Sequence, residues 1–159
     1  MAKKGKTKRK KPETEYYEIE VDDWEVDYHF SINTLPRDLN DGVYSEYATL
    51  ILTGKILSPI IEQASKARIR ISTDPEMDDH WKVNPTIQSA KAIGSMVIPR
   101  GEDILEFFCS VPTRSLPFIA MAAESKKVRF VLVFGTKLKW RQGTISSVSL
   151  STNREEECG

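Results

Sequence analysis

The sequence predicts a β-rich α+β fold in which two ββαβ-like pseudo-repeats form a barrel or a two-layer sandwich, with two short peripheral helices. Three observations predict this fold: most apolar runs are short, several alternate with polar residues, and the order of elements recurs along the chain. A length of 159 residues, of which 40% are hydrophobic, is enough for one domain with a sizeable core. We expect this single globular domain to cover residues 15–152.

Two alternating runs begin the domain, and they place their apolar residues on opposite parities. Because a strand cannot change faces without an extra residue, we expect Asp22–Asp23 to form a bulge or a tight turn. A loop rich in Asn, Asp and Pro follows over 33–42, and a long strand is predicted over 44–57. The odd-numbered apolar residues are Tyr17, Ile19 and Val21, and the even-numbered ones are Trp24, Val26, Tyr28, Phe30 and Ile32.

The middle of the chain is predicted to hold a helix, a strand and an acidic loop. Ser58 can cap a helix and Pro59 suits its first turn, so we expect a short helix through about Ala64. Residues 67–73 alternate Ile with Arg, which is typical of a strand with one solvated face. An acidic loop over 74–85 then precedes a strand over 93–98.

The most apolar part of the sequence, residues 104–135, is predicted to form a strand, a short helix and a strand that supply much of the core. Ile104–Val111 is too short for a lone helix and has the composition of a buried strand. Ser115 is the expected N-cap of the helix, with Pro117 in its first turn. The second strand, 128–134, is followed by a predicted hairpin around Gln142–Gly143.

The chain also contains a candidate internal repeat. Trp24, Trp81 and Trp140 recur at nearly even spacing, and the step from Ile69 to Val128 equals the step from Trp81 to Trp140. We interpret the pattern as two units, 24–80 and 81–139, flanked by strands that complete the sheet. The alternative is coincidence, because short motifs of common residues recur in any chain.

A net charge of zero hides a strong asymmetry. The first eleven residues contain seven basic side chains and no acidic one, so the rest of the chain has 16 basic and 23 acidic residues, a net charge of about −7. We expect residues 1–14 to be a disordered basic tail and 153–159 to be an acidic C-terminal tail. The seven basic residues are Lys3, Lys4, Lys6, Lys8, Arg9, Lys10 and Lys11.

The basic tail is the strongest functional signal, because each cation can neutralise one phosphate of a nucleic acid. The tail would also serve as a nuclear import signal in a eukaryote. Solubility, contact with the chain's own acidic body and an anionic protein partner are the alternatives. If cations on the strands, including Arg68 and Arg70, lie on one face, they would extend the site. The other candidate nucleic-acid-binding residues are Arg129, Lys137, Lys139, Arg141 and, for stacking, Trp140.

Signatures of catalysis are scarce in the sequence. It has no Gly-rich phosphate loop, no paired-Cys metal motif and no His-Glu-x-x-His motif. Cys109 has apolar neighbours, which predict an inert buried thiol, and no cofactor is expected. The acidic loop would supply oxygen and imidazole ligands for a divalent cation, although its spacing is not that of a calcium loop and a solvated loop is the alternative. Its candidate metal ligands are Asp74, Asp78, Asp79 and His80.

We therefore predict a non-enzymatic binding or scaffold protein that engages a macromolecular partner through its β-rich body and charged tails. That partner is expected to be another protein or a second copy of the chain. The alternatives are a nucleic-acid-binding accessory protein that uses the basic tail, and a metal-dependent hydrolase that uses residues 74–80. No apolar run is long enough for a membrane helix, and two cysteines favour a reducing compartment. A cytoplasmic protein, or a nuclear one in a eukaryote, is the expectation, with no membrane partner.

Overall fold

Seven strands and one α-helix make up the described part of the chain. The structure is a computed structural model, and it describes residues 10–32, 44–78 and 92–154. Helix α1, Ser115–Glu124, lies between the fifth and sixth strands, and a single 3₁₀ turn, Pro75–Met77, follows the third. The strands are β1 Thr14–Ile32, β2 Tyr44–Ser58, β3 Lys66–Thr73, β4 Gly94–Val97, β5 Ile104–Val111, β6 Phe130–Thr136 and β7 Gln142–Ser151.

The strands close into a barrel in the order β1-β2-β3-β5-β4-β7-β6, and β6 returns to pair with the first half of β1. Every neighbouring pair is antiparallel except β3 and β5, which run parallel. The predicted β-rich fold is confirmed, and the barrel is the one of the two predicted architectures that forms. Closure leaves no unpaired edge over the length where all the described strands meet.

The core lies inside the barrel, where alternate residues of each strand point inward. The stretch predicted to supply much of it does so, since Leu105, Phe107 and Val131 are fully buried. No described charged side chain is buried. The barrel interior is therefore a packed apolar core rather than a polar channel. Its other fully buried large side chains are Tyr17, Ile19, Leu50, Leu52, Ile69, Ile71, Met96, Ile98 and Ile145.

Helix α1 covers one end of the barrel, where it contacts β1, β2 and β3. Leu116 and Ala123 are its buried residues. The helix begins at Ser115 itself, and Arg114 is the N-cap residue without a side-chain cap hydrogen bond. None of the described helices is long and apolar enough to cross a membrane.

The predicted irregularity at Asp22–Asp23 is confirmed as a shift in register between β1 and β2, between Val21 and Asp23. Gly54 pairs with Val21 at this point, and a Cβ atom on Gly54 would lie 2.0 Å from the carbonyl oxygen of Glu20. Only glycine permits such a close approach of two backbones. The extra residue keeps the apolar side chains of both halves of β1 on the inner side of the sheet.

The predicted helix from Ser58 to Ala64 is wrong, so the described residues contain one α-helix instead of two. Ser58 is the last residue of β2 and pairs with Glu18, and the Ser58–Pro59 peptide bond is cis. Pairing with β1 keeps Ser58 extended, and this tertiary contact overrides the local capping signal.

The hairpin turn between β6 and β7 lies earlier in the chain than predicted. Its tip is Trp140–Arg141, and Gln142 is already the first residue of β7. Gly143 pairs with Met96 of β4, and a Cβ atom there would lie 3.0 Å from the Met96 side chain. This glycine therefore serves close packing against β4 rather than the turn.

The two predicted repeat units pair their strands differently. In the first, β1, β2 and β3 are neighbours in chain order, whereas β4 and β7 separate β5 from β6 in the second. The predictions for the loop 33–42, for the segment 79–91 and for the extreme tails 1–9 and 155–159 lie outside the described residues.

Candidate interaction surfaces

The far half of β1 and the start of β2 form a two-stranded ribbon that extends beyond the barrel. Residues 28–32 of β1 pair with 44–48 of β2. Within the described residues, neither segment has a second neighbour, because β6 pairs only with 14–20 and β3 only with 49–55. We call these ten residues, together with Val26 at their base, the ribbon.

One face of the ribbon is largely apolar and exposed to solvent. Tyr28 is 61% exposed, Phe30 57%, Ile32 66% and Tyr44 62%. The Phe30 and Tyr44 rings stack with their centroids 5.5 Å apart. The face continues the barrel interior, since Val26 pairs with the buried Leu50. We call it the apolar face, and its members are Val26, Tyr28, Phe30, Ile32 and Tyr44.

One acidic residue, Glu46, lies on the apolar face, and other acidic residues alternate with the apolar ones along β1. The Tyr28 hydroxyl donates to Oε1 of Glu46 at 3.1 Å, and this bond raises the pKa of Tyr28. On the opposite face His29 stacks on Tyr47, with the ring centroids 5.0 Å apart. No Lys or Arg occurs in 21–32 or 44–54. The acidic residues of these two segments are Asp22, Asp23, Glu25, Asp27 and Glu46.

A cavity of about 380 Å³ lies where the ribbon meets the end of the barrel. Val26 and Ala48 line one side of it, and Leu116, Pro117 and Ala120 of α1 line the other. The apolar face therefore continues into a groove against the helix. The polar side chains of Glu46, Thr73 and Thr113 also line this groove, which is large enough to hold one or two side chains of a partner.

The opposite end of β1 carries a cluster of lysines. Lys10, Lys11, Lys137 and Lys139 line an open cavity of about 670 Å³. The backbone N–H of Lys137 donates to the Glu13 carbonyl at 2.8 Å and its Nζ lies 3.5 Å from Glu13 Oε2, so the chain before β1 lies against β6. We call these four lysines, with Trp140 next to Lys139 in the sequence, the basic end.

Trp140 lies at the tip of a strained hairpin turn. Lys139 and Gln142 exchange backbone hydrogen bonds of 2.9 and 3.1 Å, and between them Trp140 has φ 54° and Arg141 φ 65°. Turns with two such residues favour Asn-Gly, because a side chain in the left-handed region costs about 1–2 kcal/mol. The Arg141 side chain stabilises this turn by donating to the carbonyls of Ile98 at 3.0 Å and Pro99 at 2.9 Å. The Trp140 side chain is 87% exposed.

The structure brings together some of the predicted nucleic-acid-binding residues and separates others. Arg129 lies at the far end of β6 from Lys137, and Arg141 has a structural role in the turn. Arg68 and Arg70 lie on β3, where they approach Glu106 at 2.8 and 3.9 Å. The residues that gather around one cavity are Lys10, Lys11, Lys137 and Lys139, and Trp140 follows Lys139 directly in the turn. Lys3, Lys4, Lys6, Lys8 and Arg9 lie outside the described residues.

The described carboxylates of the predicted metal site both have local structural partners. Oδ1 of Asp74 accepts from the Glu76 N–H at 2.9 Å, and Oδ1 of Asp78 accepts from the Thr113 N–H at 2.7 Å. Asp79 and His80 lie outside the described residues. Across 10–32, 44–78 and 92–154 no group of three His, Cys, Asp or Glu side chains is placed to hold a metal ion.

The thiol of Cys109 is buried in the barrel, as its apolar neighbours predict. It is 3% exposed, and burial raises its pKa to about 12. A thiol with so high a pKa is protonated near neutral pH and is a poor nucleophile.

Sequence reasoning did not identify the ribbon as a surface. It predicted both strands but did not predict which of their apolar residues would be exposed. The signal that was available is length: β1 has 19 residues and β2 has 15, whereas the other strands have between 4 and 10. Strands that exceed their neighbours by so much must extend beyond the barrel.

Comparisons of the chain with protein-family models, with curated proteins and with solved structures found no match.

Proposed function

We propose that the protein is a non-enzymatic binding protein that engages another protein through the apolar face of its ribbon. The observation that supports this function is a set of five large apolar side chains, each more than half exposed, on one face of a two-stranded ribbon. Monomeric proteins rarely expose a contiguous apolar patch of several hundred Å² unless it binds something. Tyrosine and phenylalanine are also enriched at the centres of protein interfaces.

The ribbon also has little stability of its own. An isolated two-stranded ribbon is marginally stable in water, because it has no third strand or helix to cover its apolar side. A partner that covers Phe30, Ile32 and Tyr44 would supply the layer that the described residues do not provide. The exposed side chains would then lose their contact with water, which provides the driving force for association.

The charges of the ribbon indicate the chemistry of the partner surface. Glu46 lies on the apolar face opposite Phe30, and four more carboxylates, at 22, 23, 25 and 27, lie nearby on β1, with no Lys or Arg in 21–32 or 44–54. Complementary charges across an interface speed association and exclude wrong partners. The proposed partner therefore has an apolar centre with basic residues around it.

Affinity capture from an extract of the protein's own cells tests the proposal with three forms of the full chain. The test variant replaces Tyr28, Phe30 and Ile32 with serine. The matched control replaces His29 and Tyr47 with alanine on the opposite face of the same ribbon. We expect the wild type and the control to capture the same protein and the test variant to lose it. Equal capture by all three forms would contradict the proposal.

A second candidate function is nucleic-acid binding through the basic end. The observation that favours it is the convergence of Lys10, Lys11, Lys137 and Lys139 around one cavity, next to an exposed tryptophan. Five further cations precede Lys10 directly in the sequence. Binding of a polyanion here would not require it to approach the carboxylates of 22–27.

The third function, a metal-dependent hydrolase that uses residues 74–80, has less support. Asp74 and Asp78 each accept a backbone hydrogen bond that fixes a turn, so ligation of a metal ion would compete with these bonds. Calorimetry with magnesium, manganese and zinc tests the proposed metal site, and a measurable heat of binding would support it.

The origin of the fold from two repeated units is also a proposal. The offset from Ile69 to Val128, which equals that from Trp81 to Trp140, supports it. The absent helix after β2 counts against it. Related sequences provide the test: a helix in both units of a relative would support duplication, and loss of the equal offsets in most relatives would contradict it.

A further inference from the structure

We propose that the basic end is a site for single-stranded nucleic acid, with the Trp140 ring as a platform on which one base stacks. This inference goes beyond protein binding by the ribbon, and it rests on the second candidate function, nucleic-acid binding. Three observations support it: the backbone of the turn, the exposure of the tryptophan ring and the arrangement of the lysines.

Trp140 occupies a turn position where its backbone is strained and its ring is exposed to solvent. Two consecutive residues with φ 54° and 65° would be served better by Asn-Gly, yet they are tryptophan and arginine. The side chain of Arg141 donates to two carbonyls of the chain between β4 and β5, so its presence in the turn has a structural explanation. Trp140 has no such explanation, because its side chain is 87% exposed. Strained residues of this kind cluster at ligand-binding sites.

An exposed indole ring selects for unpaired bases. A base stacks on an aromatic side chain whatever its identity, because every base has a π-face. In a duplex the bases already stack on their neighbours, and an isolated ring at a turn cannot reach them. The same ring therefore favours a single strand over a double strand of equal charge.

The lysines are placed to neutralise the backbone of a strand that stacks on Trp140. Lys139 is adjacent to Trp140 in the turn, and Lys137, Lys10 and Lys11 line the same cavity. The lining also includes the apolar side chain of Leu138 and the polar side chains of Gln142 and Thr144. Among the cavity's lining residues, Glu13 is the one carboxylate, and its Oε2 lies 3.5 Å from Lys137 Nζ.

The basic end and the apolar face lie at opposite ends of β1. The strand begins beside the lysines, with Thr14 opposite Thr136, and ends in the ribbon at Ile32. Acidic residues occur along both halves of the strand, at 15–20 as well as at 22–27, so the lysines themselves must provide the attraction for a polyanion. Because the two candidate surfaces are at opposite ends, they can be occupied independently.

Fluorescence anisotropy with the full chain tests the inference. The probes are a fluorescein-labelled 15-nucleotide oligothymidylate and a labelled 15-base-pair duplex, each at 50 and 200 mM NaCl. We expect the single strand to bind at least ten times more tightly than the duplex. Trp140→Ala should weaken single-strand binding about 5-fold to 150-fold, the range that base–aromatic stacking gives, and Trp140→Phe should retain most of the affinity. Phe118→Ala is the matched control, because Phe118 is 70% exposed on α1, and it should change nothing.

Two further measurements separate stacking from charge. The double variant Lys137→Glu and Lys139→Glu should weaken binding and reduce the salt slope by about 0.7 for each lysine removed. The double variant Lys55→Glu and Lys66→Glu has the same change in net charge at exposed positions on β2 and β3, and it should bind normally. In a Trp24→Phe, Trp81→Phe background, the oligothymidylate should quench the fluorescence of Trp140.

The outcomes distinguish this inference from the function on which it rests. Equal affinity for single strand and duplex, with Trp140→Ala unchanged, would overturn the stacking site and leave nucleic-acid binding in place. No binding of either probe at 50 mM NaCl would overturn both. Binding to phosphatidylserine vesicles but not to the oligonucleotide would also overturn both, and would show that the lysines recognise a lipid surface. None of these results bears on protein binding by the ribbon.

Discussion

The two halves of β1 have the same sequence pattern and opposite environments. In the first half Tyr17 and Ile19 point into the barrel and are completely buried. In the second half Tyr28, Phe30 and Ile32 continue the alternation and lie on the continuation of the same side of the sheet, yet they are more than half exposed. The first half has a strand on each side, and the described residues give the second half only β2.

The difference shows that alternation of apolar and polar residues specifies a strand without specifying what covers it. The apolar side chains of 14–20 are covered because the chain itself supplies β6 and the core. Those of 28–32 have no covering layer among the described residues. A half-strand that is apolar, aromatic and exposed is better explained by binding than by folding.

The largest expected effect on the free energy of unfolding comes from comparing the same substitution, Phe to Ala, in the core and in the ribbon. Phe107→Ala removes a fully buried side chain and should lower the free energy of unfolding by about 3–5 kcal/mol. Phe30→Ala removes a side chain that is 57% exposed and should change it by about 0.5 kcal/mol or less. Chemical denaturation of both variants measures the difference. Equal destabilisation would show that the ribbon is part of the folding core.

Gly54→Ala tests the bulge that joins the two halves of β1. The new Cβ would lie 2.0 Å from the Glu20 carbonyl oxygen, so the strands must separate, and we expect a loss of about 2–4 kcal/mol. Gly101→Ala is the control, because nothing lies within 4 Å of its Cβ position, although φ +80° is unfavourable for alanine. We expect a loss of about 1 kcal/mol there. A Gly54 variant as stable as the Gly101 variant would refute the close approach.

Tyr17→Phe tests the connection between the buried half of β1 and the chain before β7. The Tyr17 hydroxyl donates to the Thr136 carbonyl at 3.0 Å and accepts from the Leu138 N–H at 3.2 Å. Its loss should cost about 1–2 kcal/mol. Burial raises the pKa of Tyr17 above 10.0, so its stabilising contribution is complete below pH 10 and is lost as the pH rises through the folded-state pKa.

The measurement is the pH dependence of unfolding near and above pH 10 for the wild type and the variant. The wild type should lose stability more steeply than Tyr17→Phe. Parallel curves would mean that the hydroxyl is not buried in the folded protein.

Arg68→Ala should have a smaller effect than the changes at Phe107, Gly54 and Tyr17. Arg68 donates to Glu106 at 2.8 Å on the outside of the barrel, where the arginine side chain is 32% exposed. Partly solvated pairs of this kind contribute about 1 kcal/mol or less. Thermal unfolding at low and high salt measures the contribution. A loss of stability as large as that of Phe107→Ala would contradict this, because it would mean that the outer face of β3 contributes as much to stability as the core does.

Much of the fold could be predicted from local pattern, because local pattern determines it. The bounds of β5 are the predicted ones, Ile104–Val111, since Pro112 ends a run of buried residues. The bulge at Asp22–Asp23 followed from parity alone. The absence of a helix at Ser58 could not be predicted from local pattern. Pairing with Glu18, which is distant in the sequence, keeps Ser58 in β2. Strand order also depends on such distant contacts, and the parallel pairing of β3 with β5 has no local signature.

The candidate sites show the same limit. The lysines that gather at the basic end include predicted residues, because composition and charge are visible in a sequence. Arg141 has a different role from the predicted one, since its partners are the carbonyls of Ile98 and Pro99, far earlier in the chain. The ribbon was missed because exposure of an apolar face is a property of the folded chain, and pattern alone favours burial.

Hydrogen–deuterium exchange along β1 tests the central claim most directly. Amides of residues 14–20 should exchange only through global unfolding, whereas those of 28–32 should exchange at least about 100 times faster in the isolated protein. Addition of a partner that binds the apolar face should slow exchange in 28–32 and leave 14–20 unchanged. Equal, slow exchange in both halves of the isolated protein would contradict the account, because it would mean that the ribbon is already covered and stable.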